Sequence, residues 1–371
     1  MTSDVHKPVQ ERGVKRVEPN GQRSGQMNRS EFLSRSSGWT VQRPLTADGS
    51  SRRYSRVSNK AGRTAVLMES APDSSPLSTP GHRIEDFVRI GRALRDCGLR
   101  APEIYAAEPL SGFVLMEDFG DVTFHAALTS AAAPEPLYDL AARVLVHLRR
   151  HPPEIDDLPD YFASHVHTGR RRIVDWLLPL VRRAPNPDGL VEEYLDIWKN
   201  IERTLPPPEV GFVHVDFHVD NLMWIDGAHG TDRCGLLDFQ GAIRGPPAYD
   251  AANLLGDMRV DVPACVHGPV LARLCEDLSP QEADRFRLWR VVMGAQFHCR
   301  MAGQVIRLAL VGNKPRYLDY LPHLLEMLRR DLEAPILGPL RAWLTKNGVD
   351  LDTPGAINLS NARDFIRPDA F

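Results

Sequence analysis

The chain has 371 residues, a quarter of them charged, and a formal net charge of −3. That length suffices for two lobes, and so balanced a charge gives no reason to expect a nucleic acid or a membrane surface as partner. No run of about 18 apolar residues suggests a transmembrane helix, and Cys97, Cys234, Cys265, Cys275 and Cys299 show no metal or disulfide spacing, as expected of reduced thiols in a cytoplasmic protein.

Residues 1–27 carry charge but neither an apolar stretch nor periodicity, so they read as a disordered extension rather than a secretory signal, with Met27 as a second candidate start. Residues 28–120 read as a small β-rich lobe. Strands are expected at 39–45, 54–58, 64–68, 104–107 and 113–117, with an amphipathic helix at 84–97 closed by Gly98. Residues 121–137 read as a connector into a mainly helical lobe that runs to about 350, followed by a tail at 351–371. Helices are expected at 136–150, 170–182, 188–204, 280–311, 322–332 and 336–347. The start of the 280–311 helix is the clearest: Ser279 as N-cap, Pro280 at the first position and Glu282 at the third. The whole is an α+β chain with no internal repeat.

Residues 211–241 read GFVHVDFHVDNLMWIDGAHGTDRCGLLDFQG. Three short strands, at 212–213, 222–225 and 235–237, are expected to form one small sheet that gathers Asp216, Asn221 and Asp238 at one end. Phosphoryl transfer needs mostly positioning and charge neutralisation. A carboxylate must take the proton of the attacking hydroxyl, and Asp216 suits that role. Magnesium wants hard oxygens and keeps several waters, so Asp238 and Asn221 suffice as its protein ligands. A polar turn between core strands is the plain alternative. An Asn five residues after His-x-Asp, with an apolar-Asp-Phe downstream, is harder to obtain by accident.

In the small lobe, residues 48–53 form a polar turn between strands. Gly49, Ser50, Ser51, Arg52 and Arg53 could wrap nucleotide phosphates through backbone N–H groups and guanidinium forks, or be an ordinary hairpin tip. Asp118-Phe119-Gly120 lies almost 100 residues before Asp216, too early for a metal-binding aspartate. Its position suits a hinge, where the backbone around Glu117 and Phe119 would meet the adenine of ATP. Met68 occupies the place on the third strand where a phosphate-pairing lysine is sought. That leaves the cation role to Arg52, Arg53 or a second magnesium, and Glu85 as a surface residue.

Four blocks carry a family resemblance: DGSSRRYSRV at 48–57, FVLMEDFG at 113–120, the 211–250 segment ending in GPPAYD, and GNKPRYL at 312–318. The chain resembles the aminoglycoside phosphotransferase and choline kinase superfamily over about residues 30–332, on the branch of anomeric amino-sugar kinases of cell-wall recycling. The resemblance implies a two-lobed protein-kinase-like fold, with ATP and Mg2+ as cofactors and a small amino sugar as partner; a monomer is expected. The branch also tolerates a methionine at the position of Met68. The resemblance makes Asp250 a brace of the catalytic loop, although Asp250 equally suits the N-cap of a helix at 251–255. His214 reads as a further brace, and His218 and Gln240 as loop or acceptor-side groups. On the 280–311 helix, Trp289, His298, Arg300 and Arg307 are the residue types an acetamido sugar with a lactyl carboxylate would need, yet the same spacing suits a core and a solvated face. The expected reaction is transfer to the anomeric hydroxyl of N-acetylmuramate or N-acetylglucosamine, in peptidoglycan recycling. Another small acceptor, such as an amino alcohol or aminoglycoside, and a non-catalytic ligand sensor are the alternatives.

Overall fold

The computed structural model describes residues 27–45, 52–79, 81–351 and 357–367; the expected extension and the glycine and serines of the 48–53 turn lie outside them. The chain divides into two compact units, one of residues 1–92 and 102–119, the other of 93–101 and 120–371.

The first unit begins with α1 (Arg29–Arg35), which the sequence reading missed because seven residues show too little periodicity. Asn28 caps it, its side chain accepting from the Glu31 N–H at 3.0 Å. Strands β1 (Thr40–Leu45), β2 (Arg53–Ser58), β3 (Thr64–Glu69), β4 (Ile104–Glu108) and β5 (Phe113–Met116) form an antiparallel sheet in the order β1-β2-β3-β5-β4. An apolar run buried on both faces explains the place of β3 in the middle. Ala65 and Leu67 pack with Phe32 and Leu33 of α1 and with Val57, Phe113 and Leu115. Met68, between Tyr54 and Val114 in register, points to the other face and is fully buried. Helix α2 (Ile84–Asp96) is capped from a distance: Asp73 accepts from the N–H groups of Ile84 and Glu85 at 2.8 and 3.0 Å. Asp118 pairs with Arg56 at 2.7 Å.

The second unit is mainly helical. Its first helices are α3 (Phe124–Thr129), α4 (Pro134–Arg150), α5 (His165–Thr168), α6 (Leu178–Arg182) and α7 (Leu190–Thr204). The expected connector at 121–137 therefore contains a helix, begun by Thr123, whose side chain accepts from Ala126 N–H. The single helix expected over 170–182 is instead a 3-10 turn (Gly169–Arg171), a π-helical turn (Ile173–Leu177) and α6. Pro179 is the physical reason: it removes one ladder N–H and crowds the carbonyl four residues earlier, which widens the turn before it.

Strands β6 (Gly211–Val213), β7 (Leu222–Trp224), β8 (Cys234–Leu236) and β9 (Ile243–Gly245) follow. They do not make the one small sheet expected. β7 pairs with β8 as a hairpin, while β6 pairs with β9, a strand the sequence reading did not assign. Two ribbons thus flank the 214–221 loop. Helices α8 (Ala248–Leu255), α9 (Ala264–Leu274), α10 (Pro280–Leu310), α11 (Leu321–Asp331), α12 (Gly338–Lys346) and α13 (Ala362–Phe365) complete the unit. α9 went unassigned because Pro269 lies inside it. α10 is 31 residues long and opens with the expected capping box. It packs against α8, α11 and the 169–177 turns, touching the last at Gly303, where a Cβ would meet the Arg172 carbonyl at 2.1 Å.

Candidate active site

The 214–221 loop leaves β6 and is held by α8. The Asp250 carboxylate accepts from the N–H groups of His214 and Val215 at 2.6 and 2.9 Å. Asn253 donates to the Val215 carbonyl at 2.6 Å, and Asp257 accepts from Val219 N–H at 3.2 Å. Val215 sits at φ +79°, a conformation a β-branched residue adopts only when its surroundings impose it. Here the imposing groups are Asp250 and Asn253, one on each side of its peptide. The sequence reading singled out Asp250 alone. Asn253 follows it at three residues in an otherwise apolar helix and Asp257 comes just past the helix end; those isolated polar groups were the available signal.

The loop closes on itself. Asn221 donates its side-chain N–H to the Asp216 carbonyl at 3.0 Å and meets His218 Nε2 at 3.1 Å. The Leu237 N–H donates to the Asn221 carbonyl at 2.9 Å, which ties the loop to the residue before Asp238. Asp238 takes a left-handed conformation at φ +58°, and Gln240 Nε2 donates to its Oδ1 at 2.6 Å. Burial and the Asp238 charge push the Asp216 carboxyl up to about 6, against the pull of Arg300 and Arg259. Burial pushes His214 down to about 4, so its imidazole is neutral. Its contribution to the brace is its main-chain N–H, with its ring edge-on to Phe217. Burial also raises Asp250, to about 7, against its two N–H donors.

Arg300 donates to the Tyr249 hydroxyl at 2.8 Å, and its charge reaches Asp216. Burial first, then Arg300 and Arg307, lower Arg172 to about 10. Arg172, missed in the sequence, thus joins Arg300 and Arg307 in one basic cluster. Arg259, also missed, pairs with Asp257 and Asp220 at 3.2 and 3.1 Å.

Two expected acceptor residues are placed elsewhere. Trp289 is 3% exposed and donates its indole N–H to the Pro206 carbonyl, so it offers no open ring face to a sugar. His298 lies between Asp331 and the Gly256 carbonyl, at 2.6 and 3.2 Å. In the first unit, Arg52 is buried and donates to the His82 carbonyl at 3.0 Å, while Arg53 is exposed and lies 3.6 Å from Glu69. The Glu117 N–H donates to the Glu103 carbonyl at 2.8 Å, so at 117–119 that amide is already engaged. Phe119 follows as the last residue of the first unit. Among the described residues no three His, Cys, Asp or Glu side chains are grouped to hold a metal, and no helix is long and apolar enough to cross a membrane.

The profile of the phosphotransferase enzyme family matches residues 41–289. An N-acetylmuramate/N-acetylglucosamine kinase of Caulobacter vibrioides is 28% identical over 347 residues, covering 86% of this chain and 95% of that protein. Its namesake from Neisseria meningitidis is 28% identical over 314 residues, covering 81% and 88%. Among solved structures, a choline/ethanolamine kinase family protein of Mesorhizobium loti aligns with a TM-score of 0.52 at 14% identity over 83% of this chain and 92% of its own. A Plasmodium vivax ethanolamine kinase aligns at 0.54 and 13%, over 82% and 84%. The fold is that of these kinases: a five-stranded sheet in the first unit and a mostly helical remainder. The chain belongs to the phosphotransferase enzyme family and is a phosphotransferase that acts on a hydroxyl group.

Proposed function

We propose that this chain transfers the γ-phosphoryl group of ATP to the anomeric hydroxyl of N-acetylmuramate or N-acetylglucosamine. The observation that carries the chemistry is the Asp216 carboxyl, raised to about 6 on a loop pinned at three main-chain N–H groups, two by Asp250 of α8 and one by Asp257 just beyond it. A carboxylate with that value is ionised at neutral pH yet more basic than an ordinary aspartate. An anomeric hydroxyl is more acidic than an ordinary alcohol, so such a base is adequate to take its proton. The acceptor identity rests on the names of the relatives from Caulobacter and Neisseria.

Asp238 and Asn221 fit a magnesium ion by donor chemistry. Asn221 uses its N–H inside the loop, which leaves Oδ1 as the atom for a cation, and Asp238 adds a carboxylate. When bound, the metal neutralises phosphate charge. Arg172, Arg300 and Arg307 would receive the lactyl carboxylate of N-acetylmuramate. Neither Arg172 nor Arg307 has a side-chain ion pair among the described residues, and three crowded guanidinium groups favour an anionic neighbour. Phosphorus NMR of the product tests the reading. An anomeric phosphate couples to H1 alone. A 6-phosphate, or turnover of amino alcohols in place of both sugars, would replace the acceptor named here.

A further inference from the structure

The second unit holds a cavity of about 240 Å3 between α8, α10 and α11, on the side of both α8 and α10 away from the 214–221 loop. The helical period settles the placement. At about 100° per residue, Arg290, Gly294 and His298, which line the cavity, share one face of α10, while Arg300, Gly303 and Arg307 occupy the opposite face. On α8, Asp250 and Asn253 face the loop, and Ala252 and Leu255 face the cavity. The cavity is therefore separate from the Asp216 site.

Its polar lining includes unsatisfied nitrogens. Arg290 Nε and His323 Nε2 are buried without a hydrogen-bond partner among the described residues. Buried donors are seldom left in that condition. Asp331 is held by His298 Nδ1 at 2.6 Å, and although its charge reaches Arg290, no hydrogen bond joins it to Arg290 Nε; Arg330, the other cavity arginine, is bonded to Glu326 at 3.0 Å. His267 completes the basic wall. Burial, and then the Arg290 and Arg330 charges, hold it below its ordinary value, so it is a neutral imidazole. A metal does not suit the lining: the Arg290 and Arg330 guanidinium groups repel a cation, and among the described residues the histidines and aspartates are not grouped to coordinate one.

We propose that this cavity is a second ligand site, for the phosphate monoester of a small polyol. The phosphate would lie against Arg290 and His323, and the hydroxyls would face Asp331 and Asp261 on the acidic side of the same wall. A guanidinium fork with a neighbouring imidazole N–H supplies donors in several directions, which matches the three oxygens of a phosphate better than the two of a carboxylate. The floor of the cavity also adjoins the loop's support. His298 Nε2 meets the Gly256 carbonyl at 3.2 Å, and the next residue, Asp257, is the one that holds Val219.

Isothermal titration of the full chain with glycerol 3-phosphate, at constant ionic strength, tests the site. Saturable binding is expected, weakened at least tenfold in Arg290→Gln and also in His323→Gln, and unchanged in Arg300→Gln. Kinase turnover by the first two variants shows that they are folded. Inorganic phosphate should bind at least tenfold more weakly than the ester; equal affinity would overturn the polyol and leave a site for the free ion. Absence of binding by the unmodified chain, or loss of binding in Arg300→Gln alone, would overturn the proposal, the second by placing the anion at the Asp216 site.

Discussion

Asp216 and Glu202 are both carboxylates set into the interior of the second unit, and they differ in their donors. Glu202 Oε1 receives Gln296 Nε2, His167 Nε2 and Arg170 Nη1 at 2.7, 2.8 and 3.0 Å. Burial raises its pKa, but His167, Arg170 and Gln296 together hold it below the ordinary glutamate value. Asp216 has no donor to its carboxylate among the described residues, and burial with Asp238 pushes it up. A carboxylate ringed by donors is a structural post with no place for an incoming proton. One whose lone pairs are uncommitted and whose basicity is raised is equipped to receive one.

Asp216→Asn breaks the comparison most sharply. It keeps the shape and removes the basic lone pair, so kcat should fall roughly 10²–10⁴-fold. Thermal stability should hold, because the change also removes a like charge beside Asp238. Turnover within tenfold of the unmodified chain, measured by ADP release, would remove Asp216 from the base role. Glu202→Ala should do the reverse. It strands Arg170 and His167 in the interior, an effect of about 3–5 kcal/mol in denaturant unfolding, while the molecules that remain folded keep their turnover within a few-fold. The sign with pH follows from the lowered value: the stabilisation from Glu202 is present above the ordinary 4.5 and is lost as pH falls through the folded-state value. A Glu202→Ala variant as stable as the unmodified chain, with activity abolished, would reverse the two roles.

Asp250 stands between these cases, since it touches the loop but serves structure. Asp250→Ala leaves two main-chain N–H groups without their acceptor and frees Val215 from its left-handed conformation. Stability should drop by about 2 kcal/mol and kcat should fall with it. A loss of stability with kcat intact would show that the loop keeps its shape without this brace. The smallest effect is expected at Arg53. Its exposed contact with Glu69 at 3.6 Å is worth about 0–1 kcal/mol, so Arg53→Ala should leave stability nearly unchanged. Its ATP KM is then diagnostic: a tenfold rise would assign the guanidinium to phosphate, and an unchanged value would make 48–53 an ordinary hairpin.

The legible parts of the fold were those written in local chemistry. The capping box at Ser279 and the apolar run of β3 depend on neighbours in the chain, and both appear where the sequence put them. The one small sheet failed because three-residue strands carry almost no pairing information. The partner of β6 is chosen by the ends of the 214–221 loop and by α8, more than thirty residues downstream. Trp289 was left between a core and an acceptor role for a related reason: aromatic spacing on a helix does not say which face is covered, and Pro206 and Phe162 cover this one.

The sequence by itself determined the chemical groups of the candidate site and their order, because a base, an amide and a second carboxylate must sit at close intervals on a loop and hairpin to meet. It also determined that the third strand has no lysine at Met68. Only the tertiary structure decided how basic Asp216 is, which arginines cluster with Arg300, and which face of α10 looks toward the loop. Those depend on burial and on charges brought from residues 172, 259, 300 and 307, and the energy of a charge in a protein interior is set by neighbours that sequence distance does not reveal.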